Sequence, residues 1–85
     1  MNSIFGSLFI VSTPLGNLKD ITLRALNIMK NSYLIAAEDT RKSQILLKEY
    51  NIKTKMISYH EHNSHNRIKT IISYLKDGKN ISLIS

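Results

Sequence analysis

Apolar residues gather in four short runs, at 8–11, 33–37, 55–59 and 81–84, with stretches of helical spacing between them. Leu8-Phe9-Ile10-Val11 is apolar throughout, the pattern of a strand buried on both faces of a parallel sheet. Pro14 and Gly16 then interrupt regular structure. Asp20 is placed to cap the next helix, in which Ile21, Ala25, Ile28 and Met29 fall at i, i+4, i+7 and i+8 and form one stripe. Asn31 suits a left-handed stop. Residues 33–37 predict a second strand, although Leu and Ala also suit a helix. Asp39 or Thr40 can cap the helix that follows, where Ile45, Leu46, Leu47 and Tyr50 cover a broad face and Asn51 fits another stop. Residues 55–59 predict a third strand. Asn63 or Ser64 can cap a third helix, in which Ile68, Ile71, Ile72 and Leu75 give the cleanest helical pattern of the chain before Asp77-Gly78 ends it. Ile81 to Ile84 open a fourth strand.

The predicted order is βαβαβαβ. Right-handed crossovers then make an α/β fold, a mostly parallel sheet with helices on its faces. The fourth strand has no successor in the sequence, so the chain reads as a fragment or a truncated product of one domain. In an open parallel sheet, the loops after the carboxyl ends of the strands line the binding crevice. Three such loops are polar: Ser12 to Asn17, Glu38 to Arg41 and His60 to Asn63.

Composition narrows the class. The 85 residues are 42% hydrophobic, which suits a folded chain. There is no Cys, which excludes disulfides and thiolate metal sites. The formal net charge is +6. It fits a lysine-rich soluble surface, and equally attraction to nucleic acid or another polyanion. The basic residues are scattered along the sequence. No apolar stretch approaches the roughly 20 residues that span a bilayer, and the N-terminus has no signal-peptide pattern. The expectation is a cytoplasmic protein without membrane contact.

The polar loops carry the candidate chemistry. The small residues of Ser12 to Asn17 let backbone amides and hydroxyls approach a ligand, or simply make a turn; they match neither the P-loop nor GxGxxG. Glu38-Asp39-Thr40-Arg41 sets two acids, a hydroxyl and a guanidinium at a helix N-terminus, either as a cap with a local ion pair or as a polar crevice wall. His60-Glu61-His62-Asn63 offers two imidazoles, but no third ligand stands nearby and the HExxH spacing is absent, so no metal is expected. General acid/base work by His is chemically open. No Ser-His-Asp arrangement with a nucleophile elbow is present.

Together the motifs are more specific than each alone. The stretch from Leu8 through Ser12-Thr13-Pro14-Leu15-Gly16-Asn17 to Thr22, the stretch Leu34-Ile35-Ala36-Ala37-Glu38-Asp39-Thr40-Arg41 and the stretch Tyr59-His60-Glu61-His62-Asn63 resemble, in order and spacing, the bacterial ribosomal RNA small subunit methyltransferase I family. The resemblance runs from about Ser7 to Ser85. It implies a tetrapyrrole-methylase-like fold, of which residues 1–85 are a partial N-terminal α/β domain, the rest of that domain and the second domain being absent. It implies S-adenosylmethionine (SAM) as cofactor and transfer of its methyl group to the ribose 2′-hydroxyl of a cytidine in small-subunit ribosomal RNA. It also implies a homodimer at full length. The family's strand corresponding to Ile81–Ser85 runs into an Asp-Ala-Gly-Thr-Pro loop that is missing here, so little activity is expected of this chain alone.

Carried over position by position, Thr13, Pro14, Gly16, Asn17 and Asp20 match the first cleft loop. Glu38, Asp39, Thr40 and Arg41 match the second, and His60, His62 and Asn63 the third. Glu38, Asp39 and His60 are the candidate proton acceptors; the remaining residues are cofactor or substrate contacts. Two other readings stay open. One is a non-catalytic remnant or weak RNA-binding module. The other is a related methylase acting on a small tetrapyrrole.

Overall fold

The computed structural model describes residues 5–14 and 16–84, and among these four strands form over the short apolar runs and three α-helices over the stretches of helical spacing between them. Leu15 and Ser85 of the motif stretches lie outside the described residues. The elements are β1 (Leu8–Val11), a single 3₁₀ turn (Leu18–Asp20), α1 (Leu23–Asn31), β2 (Leu34–Ala37), α2 (Thr40–Glu49), β3 (Lys55–Ser58), α3 (Ser64–Lys76) and β4 (Ile81–Ile84). All strand pairs are parallel and the order is β1-β4-β2-β3. The last strand thus inserts between the first two, with Ile81 level with Leu8 on one side and Leu34 on the other. The expected α/β architecture is what the chain adopts.

The strand order follows from the direction of the crossovers. β1 to β2 and β2 to β3 run one way across the sheet; β3 to β4 runs back. With right-handed connections, α1 and α2 must then lie on one face and α3 on the other. The core is divided accordingly. Val11, Ile35, Ala37 and Ile84 pack with Ala25 and Met29 of α1 and Leu46 and Leu47 of α2. Leu34, Ala36 and Ile81 pack with Ile71 of α3. Alternation along β2 sends Ile35 and Ala37 one way and Leu34 and Ala36 the other, and all four are buried, as a central parallel strand requires.

Several local expectations are corrected. β1 is not buried on both faces. Val11 is 4% exposed, but Leu8 is 45% and Ile10 is 70% exposed, because β1 is an edge strand and α3 covers β4 and β2 instead. For the same reason the stripe of α3 is only half covered: Ile71 is buried while Ile68 and Ile72 are exposed.

Asp20 does not cap α1. It ends the 3₁₀ turn, and Thr22 is the cap, its Oγ1 accepting from the Ala25 amide at 3.0 Å. Ile21 therefore lies before the helix, although it still packs on the core. Asn31 is the last residue of α1 rather than a left-handed stop; Ser32 continues in extended conformation. Asn51 does take the left-handed region, with φ 55°, as does Gly78 with φ 82°.

Among the described residues the buried hydroxyls are paired, whereas Arg67 Nε, also buried, has no hydrogen-bond partner. The hydroxyls of Ser32 and Ser82 share a hydrogen bond, and Ser32 Oγ also donates to the Ile28 carbonyl at 2.7 Å. Thr54 Oγ1 donates to the Met29 carbonyl at 2.8 Å and ties the end of α1 to the start of β3.

Candidate functional site

β1, β4 and β2 end side by side, and the loops after β1 and β2 rise on either side of the end of β4. Between them is a crevice of about 430 Å³, inside the range that holds small ligands. Ile84, Leu46 and Ile45 supply its apolar part, and Thr13, Glu38, Asp39, Lys42 and Ser43 its polar groups. Pro14, Gly16 and Leu18 close the side formed by the first loop.

The first loop is held from below. Asn17 Oδ1 accepts the Lys19 amide at 2.9 Å and so starts the 3₁₀ turn. Tyr50, just after α2, donates its hydroxyl to the Leu18 carbonyl at 2.6 Å. The turn is thereby fastened to the helix that forms the opposite wall. At Gly16 an added Cβ would meet nothing within 4 Å, so this wall has room for a side chain and leaves its backbone bare toward a ligand.

The second loop begins α2. Asp39 is its cap, with Oδ1 accepting from the Arg41 and Lys42 amides at 3.1 and 3.2 Å. Its carboxylate thus satisfies two orphan donors of the first turn. Glu38 lies beside it on the crevice wall, exposed, and takes part in no hydrogen bond or ion pair among the described residues. Of the three candidate proton acceptors it is the one left unengaged.

The third loop stands apart. The Tyr59 amide donates to the Ala37 carbonyl at 2.8 Å, which extends the pairing of β2 and β3 by one bond. Beyond that bond the two chains diverge: α2 lies on one face and α3 on the other, the geometry of a topological switch point. Asn63 folds back over this end. Its Oδ1 accepts the His60 amide at 2.9 Å and its Nδ2 donates to Ser58 Oγ at 2.9 Å. Asn63 is the cap residue of α3 by position, but its side chain makes no cap bond; it is spent on the loop. The His60 ring has Nδ1 at 3.2 Å from the His62 amide and Nε2 at 3.2 Å from Asn63 Nδ2. The two imidazoles meet edge to face at 5.9 Å. Arg67, one turn into α3, points its guanidinium at Ser58 Oγ, 3.4 Å away.

The structure brings Thr13, Pro14, Gly16, Glu38 and Asp39 to one cavity. Asn17 and Asp20 serve the turn beneath it, while Thr40 and Arg41 begin α2 without lining it. His60, His62 and Asn63 form a second cluster on the far side of β2. Sequence reasoning missed Lys42 and Ser43. They follow the Asp39 cap by three and four residues, and that spacing puts them on the same side of the first turn. Among the described residues no group of three His, Asp or Glu side chains is arranged to hold a metal ion, and no helix is long and apolar enough to cross a membrane.

The family model described as Tetrapyrrole (Corrin/Porphyrin) Methylases matches residues 7–85. The chain is 50% identical over 80 residues to the ribosomal RNA small subunit methyltransferase I of Thermotoga maritima, covering 94% of this chain and 36% of that protein. It is 49% identical over 83 residues to the protein of the same name from Bacillus subtilis, covering 98% and 28%. With the Pasteurella multocida protein of that name it shares 48% over 85 residues, covering 100% and 30%. The chain thus spans about a third of the length of the curated relatives it matches. A solved Entamoeba histolytica protein with a provisional diphthine synthase assignment superimposes with a TM-score of 0.55 at 24% identity, over 93% of this chain and 29% of that one, which speaks to the fold alone.

Proposed function

Since the chain belongs to the tetrapyrrole (corrin/porphyrin) methylase family, we propose that it forms the first part of a SAM-dependent methyltransferase domain whose substrate is small-subunit ribosomal RNA. The observation that carries this reading is the meeting of two motif loops in one crevice, Thr13, Pro14 and Gly16 after β1 and Glu38 and Asp39 after β2, on either side of the end of β4. The names of the relatives support RNA over a small tetrapyrrole as substrate. Residues 1–85 are then the opening of an N-terminal domain. Its remainder, a second domain and a homodimeric partner belong to the whole enzyme, which works in the cytoplasm beside its substrate.

The residues present fit the cofactor. Leu46, Ile45 and Ile84 offer apolar surface to the ring and methylene groups of SAM, and the bare Gly16 backbone admits close approach. Thr13 and Ser43 provide hydroxyls for its polar groups, and Lys42 a cation for its carboxylate. SAM supplies an electrophilic methyl group with a good leaving group already attached. The protein's share is mainly alignment of the ribose hydroxyl. That hydroxyl is a weak nucleophile, and the free carboxylate of Glu38 on the crevice wall supports it as the acceptor of the proton. Asp39 positions α2 instead, through its cap. Arg41 and Arg67 hold phosphates with their forked donors, and Tyr59 and the imidazoles of His60 and His62 offer rings to an unpaired base.

A chimera tests the reading: residues 1–84 in place of the matching segment of the Bacillus subtilis relative, assayed for methylation of small-subunit ribosomal RNA. Methyl transfer to a cytidine 2′-hydroxyl is the expected result. A folded chimera that binds SAM and leaves the RNA unmethylated would overturn the substrate. One that does not bind SAM would overturn the crevice.

A further inference from the structure

The fold sorts the basic residues in a way the sequence conceals. Helices of a parallel α/β sheet run opposite to its strands, so helix C-termini and strand starts share the end away from the crevice. Lys30, Lys48 and Lys76 lie in the last turns of the three α-helices. Lys53 and Lys55 lie at the entry to β3 and Lys79 at the entry to β4. Half of the chain's 12 Lys and Arg residues therefore gather at that end, with only Glu49 and Asp77 of its 6 acids. Most of the +6 net charge is on the side facing away from the proposed chemistry.

Ordinary helix electrostatics explains part of this. A lysine in a last turn complements the helix dipole, which accounts for Lys30, Lys48 and Lys76. A lysine on an edge strand discourages edge pairing, which accounts for Lys55. Neither explains Lys53 or Lys79.

An aromatic pair sits among these charges. The Tyr33 and Tyr74 rings lie 5.1 Å apart, tilted by 53°. Lys79 Nζ is 5.0 Å from the Tyr33 ring centre. Backbone bonds hold the group in place: the Tyr33 amide donates to the Asn80 carbonyl at 2.8 Å, and the Lys79 amide to the Tyr74 carbonyl at 3.0 Å. Tyr33 is nonetheless 49% exposed. A large exposed ring, fixed by its backbone, with one lysine against it and further lysines at the same end of the sheet, is the composition of a single-stranded RNA surface, where lysines track phosphates and a ring receives a base.

We propose that the amino-terminal end of the sheet binds single-stranded RNA, with Lys53, Lys55, Lys76 and Lys79 on phosphates and the Tyr33–Tyr74 pair under an unpaired base. This surface is separate from the crevice and holds whether or not the crevice transfers methyl groups.

Fluorescence anisotropy with a labelled 15-nucleotide oligouridine tests it on the 85-residue chain without SAM. The triple variant Lys53→Glu, Lys55→Glu, Lys79→Glu should bind at least about tenfold more weakly, with the log-log salt slope reduced by about 2, as expected for three lost phosphate contacts. Tyr33→Ala should weaken binding about fivefold or more with the slope unchanged, and Tyr33→Phe should restore it. A triple variant with the same charge change outside that end, Lys19→Glu, Arg24→Glu, Lys69→Glu, should lose much less. Equal losses in the two triples would reduce the effect to net charge and overturn the proposal. So would equal affinity for heparin with no effect of Tyr33→Ala, which would indicate a general polyanion surface. Should a variant fail to fold, by circular dichroism, ultraviolet crosslinking of the unsubstituted chain decides: crosslinks at Tyr33 or Tyr74 support the surface, and crosslinks confined to the crevice end overturn it.

Discussion

The carboxamide of Asn63 reaches back five residues to donate to Ser58 Oγ at 2.9 Å, bridging the end of β3 and the start of α3. The same side chain accepts the His60 amide, so one residue sets the shape of the whole histidine loop. Asn63→Ala removes both bonds and should cost about 1–2 kcal/mol. Asn63→Asp keeps the acceptor for the His60 amide and loses the donor to Ser58, so it should cost roughly half as much. Urea unfolding measures both, and identical stability of Asn63→Ala and the parent would mean the loop is held otherwise.

Two glycines have opposite reasons to be small. At Gly6 an added Cβ would lie 1.8 Å from the Lys79 carbonyl oxygen, and the Gly6 amide is itself bonded to the Leu75 carbonyl at 2.7 Å. Backbone meets backbone there, so Gly6→Ala should destabilise by about 1–3 kcal/mol or more. Gly16→Ala enters open space. Its stability should stay within about 0.5 kcal/mol of the parent, while SAM affinity of the chimera falls. Thermal melts and SAM titration of the same variants separate the two effects.

Glu38 and Asp39 adjoin in sequence but differ in task. Asp39→Ala removes the cap of α2 and should cost about 1 kcal/mol; Asp39→Ser retains a capping oxygen and should recover most of it. Glu38→Gln touches no bond of the fold and should leave stability unchanged. In the chimera it should slow methylation by about 10²-fold or more if Glu38 accepts the ribose proton. An undiminished rate would remove Glu38 from that role.

Ile10 and Val11 are neighbours on β1 with opposite surroundings, 70% and 4% exposed. Ile10→Lys should change stability by no more than about 0.5 kcal/mol and should reduce self-association, since β1 is an edge strand. Val11→Lys places a cation in the core and should prevent folding. Unfolding curves and light scattering distinguish these outcomes.

The helical and strand periods were legible because each element has a continuous apolar face: residues 8–11 and 81–84 match β1 and β4, and the Asn51 and Gly78 stops match positive φ. The strand order was not. It depends on which way the chain turns after β3, and nothing within Ser58 to Asn63 encodes direction until α3 packs on Leu34 and Ala36. The cap of α1 was misplaced because Asp20 and Thr22 are both good caps by type, and the choice falls on Thr22 once Asn17 has started the 3₁₀ turn ahead of it. The two-sided burial expected of β1 failed for a reason beyond the strand itself: a run such as 8–11 specifies what it can bury, and neighbours decide what it does bury. At the site, the motif residues were legible by type. That Thr13 and Glu38 share a cavity while His60 stands across β2 became visible only with the order β1-β4-β2-β3.

Calorimetric titration of SAM into the chimera, with and without Gly16→Ala, tests the central claim that the loops after β1 and β2 form a cofactor crevice. Saturable one-to-one binding that Gly16→Ala weakens at least about tenfold, with an unchanged melting temperature, is the predicted result. Binding of equal strength in both proteins, or no binding by a folded chimera, would contradict it.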